Sequence, residues 1–147
     1  MQTTEVPASK SANEITTLLV QAGARQISTE YGNDGKIVGL RFVLVIYGKP
    51  WPFDIPARTN LIYKKLIDNR VYAVSSSKER EIREDAERIG WRQLFRWVQA
   101  QLAMIETGMV AAHEVFMPYA LDRGGRTMFQ VFDEDMQRAL PPAPEEK

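Results

Sequence analysis

The sequence contains no cysteine, which excludes disulfides, thiolate metal sites and a cysteine nucleophile. It contains a single histidine, His113, whereas a histidine-based metal site needs several. No segment approaches the roughly 20 consecutive apolar residues of a membrane-spanning helix. Residues 1–7 also lack the basic start and the apolar run of a signal peptide. We therefore predict a cytoplasmic protein.

The usual motifs of catalysis and phosphate binding are missing as well. No Gly-x-Ser-x-Gly elbow presents a serine nucleophile, and no glycine-rich phosphate loop follows a predicted strand. The run Asp133-Glu134-Asp135 lacks the ligand spacing of a calcium loop, so a solvated acidic patch is the simpler interpretation. We accordingly predict a protein that is not an enzyme, with no catalytic residue, no metal and no cofactor.

Two residues keep a chemical alternative open. Asp54 lies in an apolar segment, where burial would raise the pKa of its carboxyl, although an edge strand would more simply turn it to solvent. His113 stands beside Glu114, although a packing or surface role is the simpler interpretation of this histidine. An enzyme that uses carboxylates, with or without a metal, therefore remains a minor hypothesis.

Hydrophobic periodicity and turn signals predict the first half of an α+β fold. Apolar residues at helical spacing predict a helix over about 12–22, with Ser11 at the start of its capping box. Alternating residues around the turn at 32–35 predict an antiparallel hairpin over about 25–47. Its second strand is apolar on both sides, so we expect much of both faces to be covered. Prolines confine a third strand, over 51–56, to the edge of the sheet.

The second half of the chain is dominated by one long helix. We predict a short helix over 59–69, a brief strand or extended link over 71–74, and the long helix over about 78–107. Apolar residues between Trp91 and Met109 lie on more than one helical face, so this part must be enclosed by protein. The small antiparallel sheet would then pack against the N-terminal helix and the buried half of the long helix.

The C-terminal region gives weaker signals. Alternating residues predict a last strand over 127–132, and a final helical turn would follow over 133–140. Residues 1–140 would form a single domain. The proline-rich residues 141–147 would form a disordered tail.

The net charge is zero, but charge is unevenly distributed along the chain: the middle is basic and the C-terminal end is acidic. Residues 58–96 carry 10 basic and 6 acidic side chains, whereas residues 97–147 carry 4 basic and 8 acidic side chains. A basic surface can attract phosphate groups, because their neutralisation drives nucleic-acid binding. The simpler alternative is that the two regions pair with each other or are solvated.

Arginine and aromatic residues alternate within this basic region. Arg88, Arg92 and Arg96 fall four residues apart and share one helical face, and the preceding helix adds cations. Such a surface can grip phosphates and stack bases. The alternative is that the aromatics form core and the arginines pair with nearby acidic residues. The predicted nucleic-acid-binding set is Lys64, Lys65, Arg70, Arg88, Arg92 and Arg96.

The stretch 91–109, followed by Glu114-Val115-Phe116-Met117-Pro118-Tyr119, resembles small proteins of unassigned function encoded by bacteriophages and prophages. The motifs Gly23-Ala24 and Phe53-Asp54-Ile55-Pro56 extend the resemblance over about residues 6–132. It implies a phage or mobile-element origin and the cytoplasm of a bacterial host. It implies no activity and no site residue.

Together these observations favour a phage accessory protein that binds nucleic acid or a nucleoprotein complex. The alternative is a protein–protein module, such as an inhibitor of a host defence or a host enzyme, or a structural component of a virion. Zero net charge, the missing catalytic motifs and the acidic end suit this alternative. In either case we expect no membrane association. The sequence does not indicate whether the protein is a monomer or an oligomer.

Overall fold

A computed structural model describes residues 5–70 and 75–139 and confirms the predicted α+β fold. The predicted strand or link at 71–74 and the predicted tail at 141–147 lie outside the described residues. The elements are α1 (Ala8–Gln21), β1 (Arg25–Tyr31), β2 (Ile37–Ile46), β3 (Lys49–Pro56), α2 (Thr59–Asp68), α3 (Ser76–Glu106), α4 (Ala112–Phe116), a 3-10 turn (Met117–Tyr119) and α5 (Met128–Ala139).

Helix α1 begins earlier than the sequence predicts. Pro7 occupies the N-cap, and its carbonyl accepts a 3.2 Å hydrogen bond from the backbone N–H of Ser11. Ser11 is therefore not a cap: it lies inside the helix and is fully buried, and its Oγ finds no hydrogen-bond partner within the described residues. Ile15 and Leu19 turn to the core at helical spacing, as predicted.

The strands of the described residues form one antiparallel sheet in the order β1-β2-β3. The predicted hairpin and the edge position of the third strand are confirmed. Leu40, Phe42 and Leu44 point to one face and are buried, and the ring of Phe42 stacks on Phe53 at 5.4 Å.

Only one face of strand β2 is well covered, which corrects the expectation that both would be. Arg41 and Val45 point away from the core and are exposed, and Val43 between them is half-buried. The reason lies in the layering: α1, the C-terminal half of α3 and α4 contribute buried residues to the same core as the inner face of the sheet. The sheet therefore has one core face and one outer face.

Helix α3 is the long helix that the sequence predicts. The Ser75 hydroxyl caps it by accepting a 3.3 Å hydrogen bond from the Lys78 N–H, and Gly108 follows its end with φ +78°. Trp91 and Val98 are buried against the sheet side of the core. The helix is not enclosed on all sides, however, because Gln99 and several neighbours are exposed. Its apolar residues concentrate on one broad face instead.

The predicted last strand over 127–132 is wrong, because these residues begin α5. Thr127 and Gln130 form a reciprocal cap in which the Gln130 N–H donates to Thr127 Oγ1 at 3.2 Å and the Thr127 N–H donates to Gln130 Oε1 at 2.9 Å. The segment predicted as a final turn is the continuation of the same helix. No helix within residues 5–70 and 75–139 is both long and apolar enough to cross a membrane.

Candidate functional site

Three arginines of the predicted basic site, Arg88, Arg92 and Arg96, lie on α3, and acidic neighbours engage the first two. Arg88 forms an ion pair with Asp85 one turn earlier and borders a shallow cleft that also contains Glu84 and Glu87. Arg92 forms a 3.2 Å ion pair with Glu14 of α1. These pairs correspond to the alternative interpretation of the arginine ladder (Arg88, Arg92 and Arg96), in which nearby carboxylates neutralise the guanidinium groups.

The other predicted cations are more accessible. Arg96 is exposed and forms no ion pair with a described residue, and the same holds for Lys64, Lys65 and Arg70. Helix α2, which carries the lysines, packs on α3 at Gly90, whereas Arg92 contacts α1. The predicted residues therefore do not share one environment, and the accessible positive charge among them lies on α2, at Arg70 and at Arg96.

A large apolar groove lies elsewhere, between the β2–β3 turn and the chain that follows α4. Its volume is about 900 Å³. One wall of the groove is formed by the end of β2 and the start of β3. The other wall is formed by α4, the 3-10 turn, the loop that follows it and the first residue of α5. The groove is lined by Ile46, Tyr47, Lys49, Pro50, Trp51, Pro52, Phe53, His113, Met117, Ala120, Leu121, Asp122, Arg123 and Met128.

Tyr47 stands at the rim of this groove in an unusual backbone conformation. It has φ +51° and is followed by Gly48 with φ +80°, so the pair forms a two-residue hairpin turn that favours Asn-Gly. A tyrosine at such a position costs about 1 kcal/mol or more. Its side chain is 93% exposed, and its ring meets His113 edge-on at 5.8 Å. The fold thus holds a large aromatic in solvent at an energetic cost.

Helix α5 continues the apolar surface beyond the groove. The backbone N–H of Met128 donates to the Ala120 carbonyl at 2.8 Å, and Glu134 pairs with Arg126 at 2.6 Å. No residue of α5 is buried. Met128, Phe129, Phe132 and Met136 are all exposed and follow helical spacing, so they form one stripe. We call these four residues the α5 stripe. Met128 belongs to both the stripe and the groove.

The outer face of the sheet carries a small carboxylate cluster. Arg41 lies 3.0 Å from Glu30 and 3.6 Å from Asp54. Burial, and secondly the nearby Asp54 carboxylate, raise the pKa of Glu30. Asp54 Oδ1 is buried and accepts no hydrogen bond from the described residues, and a protonated Glu30 could supply one. Gly39 pairs with Glu30 in the sheet, and a Cβ at this position would lie 2.9 Å from the Ile55 carbonyl and 3.6 Å from Asp54 Oδ1.

This cluster changes the interpretation of Asp54. The residue is half-buried, and its neighbour Glu30 is the group whose pKa rises. The Glu30 carboxyl with its raised pKa lies outside the set of residues that line the groove at Tyr47. Among the described residues no group of three or more carboxylates and imidazoles is arranged to hold a metal ion.

The sequence-based prediction missed the groove and the stripe. The groove joins residues far apart in the chain, such as Tyr47, Met117 and Met128, and no local pattern connects them. The stripe did carry a signal: Thr127 and Gln130 have the spacing of a capping box, and Met128, Phe132 and Met136 follow at i, i+4 and i+8. His113, expected to pack or to lie at the surface, lines the groove.

The chain matches no protein-family model, and it shows no detectable similarity to a curated protein or to a solved structure.

Proposed function

We propose that the protein is a protein-binding module whose binding surface comprises the groove and the α5 stripe. The observation that supports this proposal is the extent of exposed apolar surface that these two features share. Tyr47, Trp51, Phe129 and Phe132 are 93%, 45%, 46% and 64% exposed. At about 200 Å² for a whole aromatic side chain, these exposed parts alone present about 500 Å². Contiguous apolar surface of this size on a soluble protein is typical of interaction sites.

The composition of the surface supports the same function. Tyrosine, tryptophan, phenylalanine and methionine are enriched at the centres of protein interfaces, whereas the rim is usually polar. Here the aromatics and methionines are bordered by Lys49, Asp122 and Arg123. The positive φ of Tyr47 adds to the argument, because strained backbone is retained where it serves a function.

Site-specific photo-crosslinking tests this proposal. A photoreactive phenylalanine analogue replaces Phe132, and a matched variant carries it at Val20, which is 59% exposed on α1 and lies outside the groove and the stripe. We expect discrete protein adducts from position 132, and their loss when Tyr47→Asp is added. If position 132 yields no more protein adducts than position 20, the proposal is wrong.

Nucleic-acid binding is the second candidate function, and accessible charge on α2 favours it. Lys64 and Lys65 are exposed and unpaired within the described part of the chain, unlike Arg88 and Arg92. Fluorescence anisotropy with labelled DNA and RNA at about 50 and 200 mM salt tests it. We expect Lys64→Glu with Lys65→Glu to weaken binding and to flatten its salt dependence. Absence of binding at low salt would contradict this candidate.

The resemblance to phage-encoded proteins suggests the setting of the proposed module. Its partners would then be a host defence protein, a host enzyme or another component of the virion. The cytoplasmic location and the non-enzymatic nature of the protein stay predictions in this proposal.

A further inference from the structure

We propose that the partner of this surface is a second copy of the same chain, with α5 of each protomer lying in the groove of the other. The inference rests on the proposed function, because it names the partner of that same surface. Three observations support it: the relative position of groove and helix, the charges that flank them, and the area that they offer.

The position of the groove and the stripe makes the surface self-complementary. The groove is concave and the exposed side of a helix is convex, and the two meet at Met128, which lines the groove and begins the stripe. A two-fold rotation close to Met128 places each stripe over the groove of the other copy. Such an interface is isologous and closes after two copies.

The exposed charges beside the two features are mainly opposite in sign, apart from the Arg58 guanidinium, which lies 5.8 Å from the Phe129 ring centroid of the stripe. Lys49 and Arg123 line the groove, and neither forms an ion pair with any residue in the described ranges. Asp122, which also lines it, already lies 3.7 Å from Arg126. On a helical projection, Asp133 and Asp135 lie on the two flanks of the α5 stripe, and both are exposed. Asp133 accepts a 3.3 Å hydrogen bond from Gln137, and neither aspartate forms an ion pair within the described residues. A docked helix therefore brings carboxylates that lack a cation to cations that lack a carboxylate.

The area is sufficient for a stable dimer. The exposed aromatics present about 500 Å², and Met117, Met128 and Met136 add the exposed half of three further large side chains. The total approaches the about 800 Å² that each partner contributes to a standard interface. Helix α5 has 12 residues and spans about 18 Å at 1.5 Å per residue, so the four residues of the stripe are spread over little more than two of its turns.

Sedimentation equilibrium over about 1 to 300 µM measures this association directly. We expect the full chain to reach twice its monomer mass of 16.8 kDa. Phe132→Asp should raise the dimer dissociation constant at least about 30-fold, as loss of a central interface anchor does. Met136→Asp should act in the same direction, and the matched Val20→Asp should leave the constant unchanged. Circular dichroism checks that each variant keeps its helix content.

A charge-reversal mixture tests the specific pairing of groove and helix. One protein carries Lys49→Glu and Arg123→Glu, and the other carries Asp133→Lys and Asp135→Lys. Each alone should be monomeric, because both of its interfaces join like charges. Mixed in equal amounts, they should form a heterodimer, because both of its interfaces join opposite charges.

Three results would overturn the inference: a wild-type chain that stays monomeric at 300 µM, a dimer that Phe132→Asp does not weaken, or reversed variants that fail to associate when mixed. These results leave the proposed function testable on its own. A monomeric chain that gives photo-adducts with other proteins from position 132 retains the binding module and loses only its self-association. A chain with neither association nor adducts loses both.

Discussion

At the scale of the residue, Tyr47 combines a backbone conformation that lowers the stability of the fold with a ring that is exposed to solvent. Asparagine tolerates a positive φ far better than tyrosine does, and Asn-Gly is the preferred pair in this type of turn. The chain instead carries Tyr-Gly, with the tyrosine ring almost fully in solvent. Local folding preference does not explain this residue, whereas the proposed contact outside the monomer would.

We therefore expect Tyr47→Asn to stabilise the fold and to weaken association. The gain in free energy of unfolding should be about 1 kcal/mol, from relief of the backbone strain. Urea denaturation at low protein concentration measures the gain, and sedimentation measures the loss of association. Tyr31→Asn serves as a control, because Tyr31 is also exposed but has no positive φ. A Tyr47→Asn protein that is less stable than the wild type would contradict the strain argument.

Glu30 provides a prediction on pH. Burial raises the pKa of its carboxyl above the ordinary 4.5, so the folded chain holds this proton more tightly than the unfolded chain. As pH rises from below 4.5 through the raised pKa, the unfolded chain releases its proton first. The contribution of Glu30 to stability is therefore complete at low pH and is lost as pH rises through this window.

We expect Glu30→Gln to remove this loss, because glutamine does not titrate. The variant should exceed the wild type in stability at neutral pH, and the difference should shrink as pH falls toward 4.5. The 3.0 Å pair with Arg41 offsets little of the gain, because a partly exposed ion pair contributes little. Urea denaturation at several pH values measures the effect, with the exposed Glu106→Gln as control. An advantage that grows at low pH would have the wrong sign.

At the scale of the element, α5 is a helix held by its ends and its polar side. It buries no residue, and its contacts with the rest of the chain include the Thr127–Gln130 cap, the Glu134–Arg126 pair, the Met128–Ala120 backbone hydrogen bond and the Arg58 guanidinium over Phe129. We expect Thr127→Ala to cost about 1 kcal/mol of local helix stability through loss of the cap. Hydrogen exchange should then speed up in α5 and stay unchanged in α3.

Ser11→Ala is the matched comparison for the Thr127 cap. The sequence predicts a capping box at Ser11, and Thr127 stands at the same spacing from Gln130, but Ser11 lies inside α1 and donates no hydrogen bond that the described residues accept. Its replacement should therefore leave the exchange rates of α1 close to those of the wild type. Equal acceleration of α1 and α5 by the two variants would contradict this account of the caps.

The elements with strong local signals were predictable from the sequence. The hairpin followed from glycine-rich turns and alternation, and α3 followed from its capping serine and long helical periodicity. Helix α5 was misassigned because 127–132 also alternate, and six residues fit a strand as well as a helix. The continuation to Met136 at helical spacing, together with the Thr127–Gln130 cap, decides in favour of helix.

At the scale of the whole molecule, the core can be predicted from sequence patterns, whereas the candidate site cannot. The core joins α1, the sheet, α3 and Phe116 through contacts that alternation and periodicity anticipate. The groove joins the β2–β3 turn to the chain after α4, and these segments are separated by about 70 residues. Their meeting depends on how the 3-10 turn docks beside β3, where Ala120 pairs with Phe53. No pattern within one segment predicts that contact.

The accessible lysines and the groove lie on different elements of the molecule. Lys64 and Lys65 lie on α2, whereas the groove lies beside the β2–β3 turn. The two regions approach each other at Phe129 of the α5 stripe, where the guanidinium of Arg58, the N-cap residue of α2, lies 5.8 Å from the ring centroid. The ion pairs of Arg88 and Arg92 leave the arginine ladder less available than its spacing suggests.

The central claim is that the groove and the α5 stripe are covered when the protein is associated. Hydrogen exchange of the full chain at about 1 and 300 µM tests it most directly, because every peptide of the chain reports separately. We expect the amides of α5 and of residues 46–51 to gain protection at the higher concentration while α2 stays unchanged. Equal exchange of α5 at both concentrations, or protection confined to α2, would contradict the account.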